Sequence, residues 1–124
     1  MIHHLSFAVA NLEAAASLYD AALSQLGVVR VWSNDRAVGY GVDDGEDLVS
    51  LHLVKQEWVP PAKGLHLAFS ARTRQQVDNF HFAALQHGGR DNGAPGLRPR
   101  YGPLYYAAFI IDLDGYHIEA VMSA

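Results

Sequence analysis

An α+β fold built from two tandem βαβββ modules is what the sequence predicts, and three observations predict it. First, the segment His4-Leu5-Ser6-Phe7-Ala8-Val9 returns half a chain later as His66-Leu67-Ala68-Phe69-Ser70-Ala71, with His, Leu and Phe at the same offsets. Second, each copy is followed, seven residues after its histidine, by a helix start: Asn11 in one, and Thr73 with Gln76 in the other. Third, short strand-like runs separated by turn residues follow each helix.

In the first copy Leu5, Phe7 and Val9 alternate onto one side of a strand and the histidine takes the other side; Leu65, Leu67 and Phe69 repeat this pattern in the second. The first helix stripes Leu12, Ala15, Tyr19, Ala22, Leu23 and Leu26 along one face and stops at Gly27. The second opens on a capping box, Thr73 with Gln76, stripes Val77, Phe80, Ala84 and Leu85, and stops at Gly88-Gly89. Strands are expected over Val28 to Ser33, Ala37 to Val42 and Leu48 to Val54, then around Arg90, over Tyr105 to Ile111 and over Tyr116 to Met122. Asn34-Asp35, Asp44-Gly45 and Asp114-Gly115 supply the turns. Module one covers about 1–55, a linker with Pro60-Pro61 covers 56–63, and module two covers about 64–124 of a single domain. Each sheet has one helix-covered face, so the modules, in one chain or across a dimer, are expected to curl as a mixed sheet around a shared cleft.

Composition narrows the function classes. The 124 residues suit one domain, half of them apolar, with a net charge of −4. Only the scattered Arg90, Arg98 and Arg100 approach a basic cluster, so nothing tracks a phosphate backbone and nucleic acid is not an expected partner. There is no cysteine, which excludes disulfides, thiolate metal sites and a structural zinc knuckle, and leaves any metal to His and carboxylate. No apolar run approaches the ~20 residues of a membrane span, and Met1 to Ala10 lacks a basic leader, so a cytoplasmic protein is expected.

Parity then selects the residues with chemistry. Glu119 shares a strand face with His117 and Val121, while Ile118, Ala120 and Met122 take the other face. A carboxylate placed toward a cleft on an apolar strand is costly unless paired or bound to a cation. His4 and His66 at matched places in the repeat, joined by Glu119, make a two-histidine, one-carboxylate set for one divalent metal ion, Zn, Ni, Mn, Fe or Co. Asp112-Leu113-Asp114-Gly115 lacks the third acidic position and distal glutamate of a calcium loop, and reads as a hairpin turn.

These segments resemble the vicinal oxygen chelate superfamily, which includes glyoxalase I, fosfomycin-resistance thiol transferases, bleomycin-resistance proteins, methylmalonyl-CoA epimerase and extradiol dioxygenases. The resemblance rests on Ile2-His3-His4-Leu5, the helix end from Tyr19 to Gly27, Gly64-Leu65-His66-Leu67-Ala68-Phe69, and above all Asp112-Leu113-Asp114-Gly115-Tyr116-His117-Ile118-Glu119-Ala120. It implies metal ligands at His4, His66 and Glu119, and a homodimer in which ligands from two subunits can meet in one site. It also implies a small-molecule substrate chelated through two oxygens, in lyase, isomerase or thiol-transferase chemistry. The alternatives are a non-catalytic drug-binding protein of bleomycin-resistance type and a small extradiol-type dioxygenase.

One position departs from the family. Glyoxalase I carries a glutamate on the last strand of module one, where this chain offers Ser50 or His52. An isomerisation using that carboxylate as base is therefore not expected here. His52 is a candidate base or fourth ligand, with a strand histidine of no special role as the alternative. Arg98 and Arg100 are candidates for a substrate carboxylate or phosphate, and Tyr105, Tyr40 and Trp32 for flat contact surfaces. The competing reading for these five is a solvated loop and core aromatics. Tyr105 and Tyr106 alternate, so only one faces the cleft. The stretch Gly93 to Pro103, with Pro95, Pro99 and Pro103, is expected as a structured loop over the cleft.

Overall fold

The computed structural model describes residues 1–43, 45–54 and 64–123. The expected linker over 56–63 and the Asp44 half of one turn lie outside the described residues. Module one runs β1 (Leu5–Val9), α1 (Leu12–Ser24), β2 (Val29–Ser33), β3 (Ala37–Gly41) and β4 (Asp47–Leu53). Module two runs β5 (His66–Ser70), α2 (Arg74–Gln86), β6 (Arg90–Leu97), a short 3-10 turn at Pro99–Tyr101, β7 (Tyr106–Ile111) and β8 (His117–Met122). The sheets have matching orders, β1-β4-β3-β2 and β5-β8-β7-β6, each with one parallel pair, β1 with β4 and β5 with β8. This is the two-module α+β fold, in two four-stranded mixed sheets.

Both helices start where their caps place them. Asn11 accepts from the backbone N–H of Ala14, and Thr73 from that of Gln76, each quenching a free donor of the first turn. The first helix ends before Gly27, whose φ of 79° suits a residue without Cβ. Facing α1, Val38, Tyr40, Val49 and Leu51 are buried; facing α2, Ala108, Ile110, Ile118 and Ala120 are buried with Val77, Phe80 and Ala84. Leu85, expected on the second stripe, is 38% exposed and lies off the core.

The edge strands β1 and β5 flank the seam between the modules. There Phe7 packs on Tyr116 with ring centroids 4.6 Å apart, and the Tyr116 hydroxyl donates to the Ala8 carbonyl at 2.9 Å. The Asp112 turn locks the seam. Its buried carboxylate accepts from the Tyr19 hydroxyl at 2.5 Å and from the backbone N–H groups of Asp114 and Tyr116. Burial, opposed by these hydrogen bonds, pushes the Asp112 carboxyl above the ordinary carboxylate range. Asp114 accepts from the backbone N–H of Ala10, so one hairpin turn ties the second sheet to the end of β1.

Two expectations need correction. The stretch from Gly93 is not a loop to Pro103: β6 continues to Leu97. Its pairing with β7 slips at Asp91/Gly93 and again at Gly93/Gly96. An edge strand tolerates Pro95 and glycine at such bulges, which made a strand look like a loop. His4 lies one residue ahead of β1, whereas His66 opens β5.

Candidate metal and substrate site

Laterally paired residues share a sheet face, so the register defines the open face opposite each helix. In module two one row reads Ala68, Glu119, Phe109 and Gly93 across β5, β8, β7 and β6. In module one the matching row reads Ser6, Ser50, Gly39 and Trp32 across β1, β4, β3 and β2.

Glu119 is the centre of the module-two face. Its side chain is 2% exposed, yet it faces away from the helix-packed core. One carboxylate oxygen lies 3.2 Å from His66 Nε2 and the other accepts from the Tyr105 hydroxyl at 2.5 Å. Proximity of His66 follows from sequence: it sits two residues before Ala68, the lateral partner of Glu119, on the same face. Burial, helped by the carboxylate it donates to, pushes the Tyr105 phenol up to about 12, so Tyr105 is a donor throughout the ordinary pH range.

Around this pair the other candidates fall into place unevenly. Tyr101 packs on Tyr105 with centroids 5.4 Å apart, and the Arg100 guanidinium lies 5.0 Å over the Tyr101 ring. Arg98 lies 5.4 Å over the Phe109 ring, in the same row as Glu119, and one of its terminal nitrogens donates to the Ala94 carbonyl at 2.7 Å. Tyr106 turns the other way, its hydroxyl donating to Asp78 of α2. Trp32 lies against Gly39, where an added Cβ would meet the indole Nε1 at 2.1 Å. Tyr40 is not on the open face: it is fully buried in the module-one core, donating to Asp20 at 2.8 Å. His52 is exposed on the module-one face, its ring centroid 6.4 Å from that of Trp32 and its Nε2 3.0 Å from Ser50 Oγ.

His4 is not brought to the Glu119 pair within one chain. Its Nδ1 meets His3 Nδ1 at 2.9 Å, and His3 reaches Glu46. Among the described residues no cluster of three His, Asp or Glu side chains could hold a metal. His66 and Glu119 nevertheless fit a divalent ion chemically: an imidazole nitrogen and a buried carboxylate oxygen converge on one point, with a second oxygen fixed by a phenol.

Sequence reasoning missed Ser6 and Phe109 on these faces. Parity was the available signal, since Ser6 is two residues from His4 and Phe109 is on the opposite parity to the core residues Ala108 and Ile110. No helix among the described residues is long and apolar enough to cross a membrane.

Comparison with known proteins follows the same outline. Residues 1–120 match the model of the glyoxalase/bleomycin resistance protein/dioxygenase superfamily. Among solved structures, the chain is similar to a glyoxalase/bleomycin resistance protein from Albidiferax ferrireducens, at 28% identity and a TM-score of 0.82, covering 97% of this chain and 96% of that one. The fold is also shared with the fosfomycin resistance protein FosX from Mesorhizobium loti, at 16% identity and a TM-score of 0.72, over 100% and 92% of the two chains. A glyoxalase-related enzyme from Fulvimarina pelagi, 18% identical with a TM-score of 0.74, covers 97% and 86%. No curated protein matches.

Proposed function

Since this chain belongs to the glyoxalase/bleomycin resistance protein/dioxygenase superfamily, we propose that it is a metal-dependent enzyme that chelates a small substrate through two oxygens. The observation that carries the reading is Glu119, a buried carboxylate on an open face with His66 Nε2 at 3.2 Å. Two polar groups held this way have no role in the helix-packed core, and a cation offsets the cost of burying the charge.

His66 and Glu119 are the ligands from module two, and His4 is the third, supplied by this chain or by a second copy in a homodimer. A divalent ion bound there supplies Lewis acidity toward substrate oxygens. Tyr105 holds the carboxylate in one orientation by its hydrogen bond. Arg98, above Phe109 in the same row, donates from its two terminal nitrogens to the Leu97 and Ala94 carbonyls, and its five-donor guanidinium has further N–H groups to offer an anionic substrate group, while Trp32 gives module one a flat wall. The reaction belongs to the lyase, isomerase or thiol-transferase type, in a cytoplasmic setting.

The test is metal content and turnover. Protein produced with ample Mn, Fe, Co, Ni and Zn is expected to retain one divalent ion per site. His66→Ala, His4→Ala and Glu119→Gln are each expected to lose it while staying folded. Mixing His4→Ala with His66→Ala is expected to restore one of the two sites in each mixed dimer if ligands cross a dimer. The loaded protein is then assayed against 2-oxoaldehydes, epoxides with thiols, and catechols. A wild type that binds none of the metals sinks the proposal and leaves a drug-binding protein ahead.

A further inference from the structure

The two open faces differ most at the position that Glu119 occupies. Its module-one counterpart is Ser50, because Ser50 pairs with Ser6 of β1 as Glu119 pairs with Ala68 of β5. At the positions that match Ser6 and His52, module two carries Ala68 and Val121, which cannot exchange protons; Ser6 and His52 can. The three side chains form a continuous hydrogen-bonded line. Ser6 Oγ lies 2.8 Å from Ser50 Oγ, and Ser50 Oγ lies 3.0 Å from His52 Nε2. Ser50 is 2% exposed while Ser6 and His52 are exposed, so the line has a sheltered centre and two open ends.

Ser6 is tied to the metal reading's residues through His4, which it follows by two residues, a step of about 7 Å in extended chain. Whichever copy supplies His4, a Ser6 accompanies the site. The residues sharing His52's face on neighbouring strands are Ala8 and Ser6 of β1, Ala37 and Gly39 of β3, and Trp32 of β2. None of them is charged or can take a proton as an imidazole can, so His52 is the proton acceptor of this face.

We propose that Ser6, Ser50 and His52 form a proton relay that takes the hydroxyl proton of an oxygen-chelating ligand held at the His66–Glu119 site; the inference rests on the metal reading above. The ligand O–H gives its proton to Ser6 Oγ, Ser6 gives its own to Ser50 Oγ, and Ser50 gives its own to His52 Nε2. The O–H bonding pair stays on the ligand, which becomes an oxyanion. One proton has moved from ligand to imidazole, no bond between heavy atoms changes, and no redox partner is needed. The relay requires neutral His52 with its proton on Nδ1, and the exposed ring returns the added proton to product or water. Ser6 touches the ligand, while Ser50 and His52 act through it. The ligand class is a hydroxyl-bearing chelator, such as an enediol, hydroxyketone or hydroxamate.

Acetohydroxamate is the probe, because it carries two neighbouring oxygens and an acidic hydroxyl. Its association with cobalt-loaded protein is followed by stopped-flow absorbance from pH 5.5 to 8.5. Wild type is expected to bind faster as pH rises. Ser50→Ala and His52→Gln are expected to keep their cobalt and their circular dichroism, to bind roughly 10- to 100-fold more slowly, and to lose that pH dependence. Ser50→Thr, which keeps the hydroxyl, is expected to restore both. Cobalt-loaded variants that match wild type in rate and pH profile overturn the relay and leave the metal reading standing. A wild type that binds no cobalt overturns the metal reading and the relay with it. Cobalt bound without uptake of acetohydroxamate overturns the relay, which has no function without a chelating ligand.

Discussion

Module one and module two keep the same helix-facing core and have exchanged almost everything on the other face. Under the helices the rows are aliphatic in both: Val49 and Leu51 on β4 correspond to Ile118 and Ala120 on β8. On the open faces Ser6, Ser50, Gly39 and Trp32 stand where module two has Ala68, Glu119, Phe109 and Gly93. The aromatic and the glycine have changed strands. Both outer strands slip register at the same place, residues 30/32 and 91/93, so the backbone is conserved while the ring is delivered from opposite sides. A helix-packed face must fit a neighbour to atomic density and resists change; an open face answers only to what binds there. The difference therefore separates what maintains the fold from what serves the site.

Removing the charge that distinguishes module two tests this division with the largest effect. Glu119→Gln keeps the volume and can still accept from Tyr105. Metal affinity, measured by competition with a chromogenic chelator, is expected to fall roughly 100-fold or more, because an anionic ligand is lost rather than an outer-shell partner. Urea denaturation of the metal-free protein is expected to change by less than about 1 kcal/mol, since the core face is untouched. If metal affinity holds and stability collapses, Glu119 is a structural residue and the two faces do not divide as described.

A second prediction targets the exchanged ring. An alanine methyl at Gly39 meets the Trp32 indole at 2.1 Å and 2.3 Å, too close for any rotamer adjustment of a methyl. Gly39→Ala is expected to push the ring off the sheet, costing about 1 to 3 kcal/mol of stability by overpacking. Because Trp32 belongs to the open face, its fluorescence is expected to shift while metal affinity at His66–Glu119 does not. Metal affinity that falls with Gly39→Ala would instead show that the Trp32 wall supports the metal ligands themselves and does not only line the substrate space.

Much of this was legible in the sequence, and the physical reason is period two. The repeat of His4 to Val9 at His66 to Ala71 located two equivalent strands, and parity put His66 and Glu119 on one face and sent Tyr105 and Tyr106 to opposite ones. Parity fails where both faces are covered. All five residues of β3 are buried, because α1 covers one side and Trp32 lies on Gly39 from the other, so Tyr40 could not be told from a cleft residue. Glycine and proline mislead where they mark bulges on an edge strand, as in β6, rather than the end of a strand. Whether His4 joins His66 depends on chain packing beyond the reach of any local pattern.

The smallest expected effect concerns Tyr105, and it tests whether the module-two carboxylate is held in place or merely present. The phenol donates to one oxygen of Glu119 while the other faces His66, so the hydrogen bond fixes which oxygen is free for a cation. Tyr105→Phe removes that bond without removing a ligand, and outer-shell bonds of this kind change metal affinity by about 10-fold. The bond also has a spectroscopic signature in the metal-free protein. Tyr105 holds its proton to about 12, through burial first and the acceptor carboxylate second. A raised phenol value means that its contribution to stability is present below about pH 10 and is lost as pH rises through about 12. Ultraviolet titration of wild type is expected to show a late-ionising tyrosine that Tyr105→Phe deletes and Glu119→Gln brings down toward 10. The Tyr19 and Tyr40 phenols, also raised, titrate later in all three proteins because their partners Asp112 and Asp20 are unchanged. A component that survives Tyr105→Phe unaltered, together with unchanged metal affinity, would mean that the carboxylate needs no orienting donor.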